Sequence, residues 1–411
     1  MLELDFSLAF EVATDKEFFA ALPSKPAVCL VELIDPNAEP LLIRTQDLRR
    51  RLLRLLGPPD PASKRLNLRG LARGVRYRPV GSTFEQSVTY YQHAKKLFPQ
   101  RYRDLLRMRP PAVLKVSLRN AYPRCYVTRH ISVDSSGTPT AGSYYGPFPS
   151  RGAALAFANR SLDFFRMRRC QIKIRRDPTF PGCLYSEMKM CLAPCFAGCS
   201  KEEYDAEVQR FVKFLESSGE SLRATFETER ERASEDLDFE RAATLHKKVE
   251  KLDEVLRGRP DLARRIQALD AVILQRGAGD QVIAAYRVQG GKLCEPFFLP
   301  FGEIASQPRS AEQIFRNYLD PTAESAVAAA LPNASPNGAQ QTGAAQTIEQ
   351  LPLSKGELSE HLWLVARWFY SNPRTGEIFF WEKNDWPYRR ILRACSRLLA
   401  PPEPPREPGT N

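Results

Sequence analysis

The hydrophobic positions of this chain change period several times along its length. Residues 27–34 (AVCLVELI) and 40–43 (PLLI) are short apolar runs either side of an Asp-Pro-Asn turn, the pattern of a β-hairpin. Asp47 is a good helix cap, and leucines at 48, 52, 55 and 56 predict a helix that stops at Gly57-Pro58-Pro59. A second helix is predicted over 84–98, followed by two strands within 112–132 that an Asn-Ala-Tyr-Pro turn separates. Residues 143–147 (SYYGP) read as a loop that opens into a helix at 150–166. The stretch 201–256 is helix-rich with a break at Ser217-Ser218-Gly219, and 268–303 reads as three antiparallel strands with glycine turns. After a run of Ala, Gln, Asn, Pro, Gly and Ser, helices return at 357–370 and 386–399. Ala242, Leu245, Val249, Leu252 and Leu256 recur at spacings of 3 and 4, a coiled-coil seam that a plain intramolecular hairpin would equally show.

A length of 411 residues with 43% hydrophobic and 10% aromatic content supports several folded units and excludes a wholly disordered chain. No apolar stretch reaches the length of a membrane span. The N-terminal MLELDFSLAFEVATDKEFF has acids where a secretory signal needs bases, so a cytoplasmic protein is expected. Charge narrows the class further. The net +12 rests on three segments: 44–78 holds eleven bases against Asp47 and Asp60, and 160–176 and 101–109 are basic as well. Together they carry +18, which leaves the remainder at −6. This is the footprint of a polyanion binder, with a merely solvated arginine-rich surface as the plainer alternative.

Five of the nine cysteines fall at Cys170, Cys183, Cys191, Cys195 and Cys199. An odd count at uneven spacing in a reducing compartment favours thiols or metal ligands over disulfides. Four converging thiolates suit zinc or an iron–sulfur cluster. The segment lacks the paired C-x-x-C knuckles of a zinc ribbon. Its longer arms fit a 4Fe–4S cubane better, with zinc the runner-up and buried free thiols the alternative without metal.

The run SYYGPFPSRGAALAFANRSLDFFRMRRC, followed by CLYSEMKMCLAPC, resembles the UvrC subunit of the bacterial UvrABC nucleotide excision repair system. RYRDLL at 101–106 and NAYPRCYVTRHI at 120–131 extend the resemblance, which covers about residues 20–300. It implies a 4Fe–4S cluster held by Cys170, Cys183, Cys191 and Cys195, with Cys199 outside the set. The implied fold is α+β and multidomain: a degenerate GIY-YIG-like domain at 20–112, linker strands and a cysteine-rich cluster domain at 113–200, a helical hairpin at 201–258 and partial RNase H-like strands at 262–320. A disordered linker at 321–354, a helical segment at 355–400 and a disordered tail at 401–411 follow. The piece DFERAATL resembles the UVR motif through which UvrB and UvrC dock. It would offer Phe239, Ala242, Ala243 and Leu245 as apolar contacts, with Glu240 and Arg241 at the rim.

The chain departs from that family where nuclease chemistry should sit. The first nuclease triplet is Ala27-Val28-Cys29 and the second Leu41-Leu42-Ile43, so the Tyr and Gly of both are gone. Arg51 falls at the family's catalytic arginine, but Gln86 and Tyr91 stand where the helix should supply a metal-binding Glu. Glu85 is one residue out of register, about 100° around a helix. The expectation is a decayed nuclease fold in which Arg51 is vestigial. Arg44, Arg49, Arg50 and Arg51, with Arg168 and Arg169 beside the cysteines, would contact DNA phosphates. Asp270 and Asp280 have no obvious partner for a second nuclease site, and His93, His130, His246 and His361 are scattered singly. The function expected is a DNA-binding repair subunit that docks a UvrB-like partner and lacks nuclease activity. An active excinuclease-type endonuclease and a protein-interaction module that ignores DNA are the alternatives.

Overall fold

The computed structural model describes residues 2–59, 62, 65–134, 138–140, 142–306, 310–320 and 356–400; the expected linker at 321–354 and tail at 401–411 lie outside them. The fold is α+β, built on three antiparallel sheets. The first contains β1 (Phe6–Ala9), β2 (Ala27–Leu33), β3 (Leu41–Thr45) and β4 (Ala72–Pro79) in the order β1-β4-β2-β3. Strand β2 is apolar from Ala27 to Val31, where both of its faces are covered. Ala27, Cys29 and Val31 pack with Phe18 and Phe19 of α1 (Asp15–Ala21) and with Leu48, Leu52, Leu55 and Leu56 of α2 (Leu48–Leu56). Val28 and Leu30 face Tyr91 and Ala94 of α3 (Thr83–Leu97). Asp47 caps α2 as its sequence position predicts, its Oδ1 accepting the Arg50 N–H at 2.8 Å.

A short helix α4 (Tyr102–Leu105) leads to the second sheet, β5 (Ala112–Val116), β6 (Cys125–Thr128), β7 (Ser143–Phe148) and β8 (Arg264–Arg265), ordered β6-β5-β7-β8. Strand β7 corrects the reading of SYYGP as a loop. Gly146 and Pro147 are local turn signals, but the segment pairs with β5 on one edge and β8 on the other, and all six residues are buried. A register shift between Ala112 and Leu114 accommodates the irregular pair. Helix α5 (Arg151–Leu162), the single turn α6 (Leu184–Glu187) and helices α7 (Lys201–Glu216), α8 (Glu220–Glu235) and α9 (Phe239–Arg257) follow. Their core joins Tyr145, Phe157, Phe165, Tyr204, Phe211 and Leu252.

The third sheet contains β9 (Ala271–Arg276), β10 (Val282–Gln289), β11 (Lys292–Leu293), β12 (Phe297–Pro300) and β13 (Glu377–Phe380). Helix α10 (Ala311–Leu319) lies between β12 and two C-terminal helices, α11 (Glu357–Phe369) and α12 (Tyr388–Leu399). The reading of 355–400 as helical alone is therefore corrected: β13 pairs antiparallel with β9, from Glu377 opposite Leu274 to Phe380 opposite Ala271. Four residues are too few to show a period in sequence. Val272 and Leu274 face α10 and α12, and Ala271 and Ile273 face α11.

Helix α11 joins the two ends of the chain. Its Leu358, Leu362 and Val365 share a core with Phe84 and Val88 of α3, while Trp363 and Leu364 pack with Tyr91 and Tyr102. Within this contact Glu360, 5% exposed, accepts hydrogen bonds from Tyr91 Oη (2.7 Å), Tyr102 Oη (2.5 Å) and Arg103 Nε (2.8 Å), with Lys95 Nζ 3.5 Å away. Burial pushes the Glu360 carboxyl up, but these donors and the Lys95 charge together hold it below its ordinary value. Its neighbour His361 accepts the Leu293 N–H at Nδ1 (3.2 Å), and burial lowers its pKa to about 4.

Both groups are depressed in the folded chain, so each contributes stability above its unfolded value and loses it as pH falls through the folded value. Unfolding free energy should hold steady above the ordinary histidine value of 6.5 and fall from there toward pH 4, through His361 first and Glu360 later. Urea midpoints across that range measure this, and His361→Gln should flatten the upper part. Glu360→Gln should cost about 2–3 kcal/mol at neutral pH, the scale of lost hydrogen bonds to a charged group.

Candidate functional site

The cysteine segment hangs from the second sheet and α7. The Tyr204 hydroxyl, fully buried, donates to the Pro123 carbonyl (2.7 Å) and accepts the Arg168 N–H (3.1 Å). The Arg168 guanidinium turns inward: Nε donates to the Tyr122 carbonyl (2.9 Å), and Nη1 donates to the carbonyls of Ile172 (2.9 Å) and Cys170 (3.3 Å). Arg169 is paired with Asp163 at 2.9 Å. Neither arginine is thus offered to solvent as a phosphate contact, contrary to the sequence expectation. Arg168 instead builds the backbone on which Cys170 sits.

Beyond Cys170, Cys183 opens α6, and its N–H donates to Ser186 Oγ at 2.9 Å. The chain then curls tightly. Lys189, Ala193 and Ala197 have left-handed φ values of 56°, 56° and 63°, which non-glycine residues adopt only where their surroundings hold them. Hydrogen bonds from Leu192 N–H to Arg166 O, Asp177 N–H to Cys195 O and Gly198 N–H to Ala193 O fix the curl. The result gathers four thiols. Cys191 feels the charges of Cys170, Cys183 and Cys195, and Cys195 feels those of Cys183 and Cys170. Burial pushes the Cys191 thiol up to about 11, while the Ala193 N–H, 3.3 Å from Sγ, opposes the shift. Cys199 lies beside Glu203, Arg176 and Arg166, with Cys195 as a thiol neighbour. Among the described residues, no three His, Cys, Asp or Glu side chains stand in the arrangement of a site for one metal ion.

Helix α2 forms a second, basic surface. Leu48, Leu52, Leu55 and Leu56 turn inward, and Arg50, Arg51 and Arg54 are exposed, with no hydrogen bond or ion pair from their side chains to the described residues. Arg44 is also exposed and lies 5.5 Å from the Tyr90 ring centre. Arg49 differs, since its guanidinium donates to the carbonyls of Leu22 (2.7 Å) and Ala20 (3.0 Å) and closes the end of α1.

The candidate acids are committed elsewhere. Glu85 is 1% exposed; its Oε2 accepts the Gly81 N–H at 2.9 Å, and Oε1 lies 3.7 Å from Arg78 Nε. Burial raises its pKa. Gln86 Nε2 donates to the carbonyls of Thr45 (2.8 Å) and Ala27 (3.2 Å), tying α3 to the ends of β2 and β3. Asp270 Oδ1 accepts the Gly290 N–H at 2.8 Å. In the α8–α9 hairpin, Leu245, Val249 and Leu252 are buried within the chain and Ala242 is half-buried, so the seam is intramolecular. At its tip Glu240 and Ala243 are exposed, as are Leu237 (72%) and Phe239 (66%).

A thiol-gathering middle domain, joined to a basic α/β domain and followed by a helical hairpin, is the class of protein this geometry defines. Residues 112–214 match the family model described as the UvrC/Cho excinuclease, middle domain. The chain is 28% identical over 288 residues to the UvrABC system protein C of Carboxydothermus hydrogenoformans, an alignment covering 69% of this chain and 45% of that protein. It is 30% identical over 172 residues to the one from Methanothermobacter thermautotrophicus (42% and 28% covered) and 32% over 163 residues to the one from Idiomarina loihiensis (39% and 26%). No solved structure matches. The chain is similar to UvrC proteins over these stretches and spans less than half the length of these curated relatives.

Arg168 and Tyr204 predict a stability effect that does not depend on any bound group. Arg168→Met strands the carbonyls of Tyr122 and Ile172 in a buried place and should cost about 2–4 kcal/mol, as one or two unsatisfied buried groups do. Denaturant midpoints measure it. An exposed arginine such as Arg54, changed in the same way, should shift the midpoint by less than about 0.5 kcal/mol equivalent.

Proposed function

We propose that this chain is a DNA-binding subunit of nucleotide excision repair that holds a 4Fe–4S cluster, docks a UvrB-like partner and does not itself cut DNA. The observation that carries the reading is the middle-domain match over 112–214, which contains Cys170, Cys183, Cys191 and Cys195. Cys170, Cys183, Cys191 and Cys195 would hold the cluster, and the chemistry of four thiols with backbone N–H donors aimed at sulfur suits it. When bound, such a group braces the chain covalently and exchanges single electrons. Zinc is the competing occupant. Anaerobic purification with iron analysis and a visible absorption spectrum tests the assignment. Iron should be retained in Cys199→Ser and lost in Cys191→Ser, whereas stoichiometric zinc, or no metal in the parent protein, would refute it.

DNA contact is assigned to α2 and its neighbour Arg44, within a degenerate GIY-YIG-like domain. Support comes from three exposed arginines that the rest of the described chain leaves unpaired. Each phosphate contact contributes about 0.9 to the slope of log affinity against log salt, so replacing Arg50, Arg51 and Arg54 with Ala should flatten that slope by up to about 3. An unchanged slope would remove α2 from the interface.

The absence of cutting is argued from Glu85, buried and bound to the Gly81 N–H, and Gln86, whose amide ties two strand ends. Incubation with a lesion-bearing duplex, a UvrB-like protein, ATP and magnesium should give no incision. Incision abolished by Arg51→Ala or Glu85→Gln would establish the enzyme reading instead. Docking is assigned to the UVR-like hairpin tip, where Phe239, Glu240 and Ala243 are exposed and Leu245 holds the two helices together. Phe239→Asp should weaken partner capture by at least about tenfold, the scale of an aromatic anchor.

A further inference from the structure

We propose that the single turn α6 is a wedge that enters the minor groove of DNA and parts one base step, an inference that rests on the DNA-binding reading above. Two large apolar side chains stand out from this turn: Leu184 is 65% exposed and Met188 58%. The Met188 N–H donates to the Leu184 carbonyl at 3.0 Å, so the two side chains lie one turn apart on the same side. Tyr185 and Phe180 are exposed as well. The inward positions of this segment are filled by Cys191, Ala193 and Cys195, all buried. Single apolar residues are common on protein surfaces, but several within one short segment mark a contact.

The charge around the cluster says what it contacts. Lys173, Arg175, Arg176 and Lys189 are exposed, and no hydrogen bond or ion pair joins their side chains to the described residues. Against these four bases the stretch 171–190 holds two acids, Glu187 and Asp177, and Asp177 Oδ1 already accepts the Thr179 N–H (2.9 Å) and hydroxyl (2.7 Å). Other bases nearby are committed within the chain: Arg169 pairs with Asp163, Lys201 with Asp205 and Arg210 with Glu207. The unpaired bases and the turn hang from the same cysteine segment. Arg168 Nη1 holds the Ile172 carbonyl, the Asp177 N–H donates to the Cys195 carbonyl at 2.9 Å, and Cys183 opens α6. Unpaired cations beside projecting apolar side chains suit a polyanion whose interior is a stack of bases.

Shape separates DNA from a protein partner. An amphipathic helix docks its apolar face into a groove, whereas side chains more than half exposed project from the surface. Leucine and methionine are among the residues that minor-groove proteins insert between bases, kinking the duplex. The root of α6 is stiff enough to press. The Cys183 N–H donates to Ser186 Oγ (2.9 Å), the Met190 N–H donates to the Tyr185 carbonyl (2.9 Å), and Lys189 ends the turn at a left-handed φ of 56°.

The test uses the full chain and a duplex with a central mismatch, where unstacking costs least, carrying a donor and an acceptor dye at its ends. Binding should bend the duplex by about 20–90°, read as a rise in energy transfer. The double variant Leu184→Ser, Met188→Ser changes exposed side chains only, so it should fold as the parent does, keep the salt slope of binding and lose the bend. Replacing Lys173, Arg175 and Arg176 with Ala should flatten that slope by up to about 3, since each phosphate contact contributes about 0.9. An unbent duplex in the parent complex, a bend that survives in the double variant, or a slope that the alanine variant leaves unchanged would overturn the wedge while DNA binding stands. A parent dimer that the double variant dissociates would assign the patch to a second copy of the chain and overturn the wedge as well. Failure to bind the duplex would overturn the DNA-binding reading and the wedge with it.

Discussion

Glu360 is a carboxylate placed where a carboxylate is costly, and the arrangement of the chain follows from how that cost is met. It lies on α11, more than 250 positions along the chain from the phenols of Tyr91 and Tyr102 that donate to it. A buried charge is tolerated only with hydrogen bonds and counter-charge, and here two phenols, one guanidinium and one ammonium provide them. The apolar residues flanking Glu360 on α11 divide between two cores, one shared with the third sheet and one with the first. Register is thereby set twice, by packing and by a polar contact that is satisfied in one alignment. A slip of one residue along α11 would bury the carboxylate without donors and unseat Trp363 and Leu364 together.

The same economy of polar contacts builds the cysteine segment. Its loops have little regular structure, so their backbone groups need partners other than ladders and helical turns. Arg168 satisfies three carbonyls with one buried side chain, and Tyr204 links the segment to the turn before β6. Three left-handed residues then fold the chain back on itself and bring Cys191 and Cys195 toward Cys170 and Cys183. The core of α5, α7 and the α8–α9 hairpin beneath gives this curl a rigid base, so the thiols are gathered by protein packing.

Where sequence reading succeeded, the signal was local and repeated. The β2–β3 hairpin, the Asp47-capped leucine helix, α3, the β5–β6 pair and the α8–α9 seam each show a period over several residues. Where it failed, the information was non-local. Strands β1, β4 and β13 are short, or interleave arginines with apolar residues; ARGVRYRP in β4 exposes Arg73 and Arg76 while burying Val75 and Tyr77. Strand β7 looked like a turn because glycine and proline speak locally, whereas the ladder partners on both edges lie elsewhere in the chain. Arginines beside the cysteines looked like a phosphate surface, because charge can be counted from sequence and burial cannot. The Glu360 node had no sequence signal at all, since each of its members is an ordinary residue until the fold assembles them.

Position 86 shows how one structural use of a side chain closes it to another. A metal-binding glutamate presents two acceptor oxygens. The side chain here faces the carbonyl oxygens of Ala27 and Thr45, and only an amide's two N–H donors can satisfy both. A glutamate in the same place would set charge against two acceptors at the ends of β2 and β3, so strand anchoring and metal binding exclude each other at this residue. Glu85 cannot substitute from its own position, because its buried carboxylate is already committed to the Gly81 N–H beside Arg78. The basic helix α2 has no such conflict, since its exposed arginines need no catalytic partner to hold a phosphate. Hydrolysis requires several groups in register, whereas phosphate contact requires only charge and shape, which exposed arginines on one helix face can offer without help from residues 85 and 86.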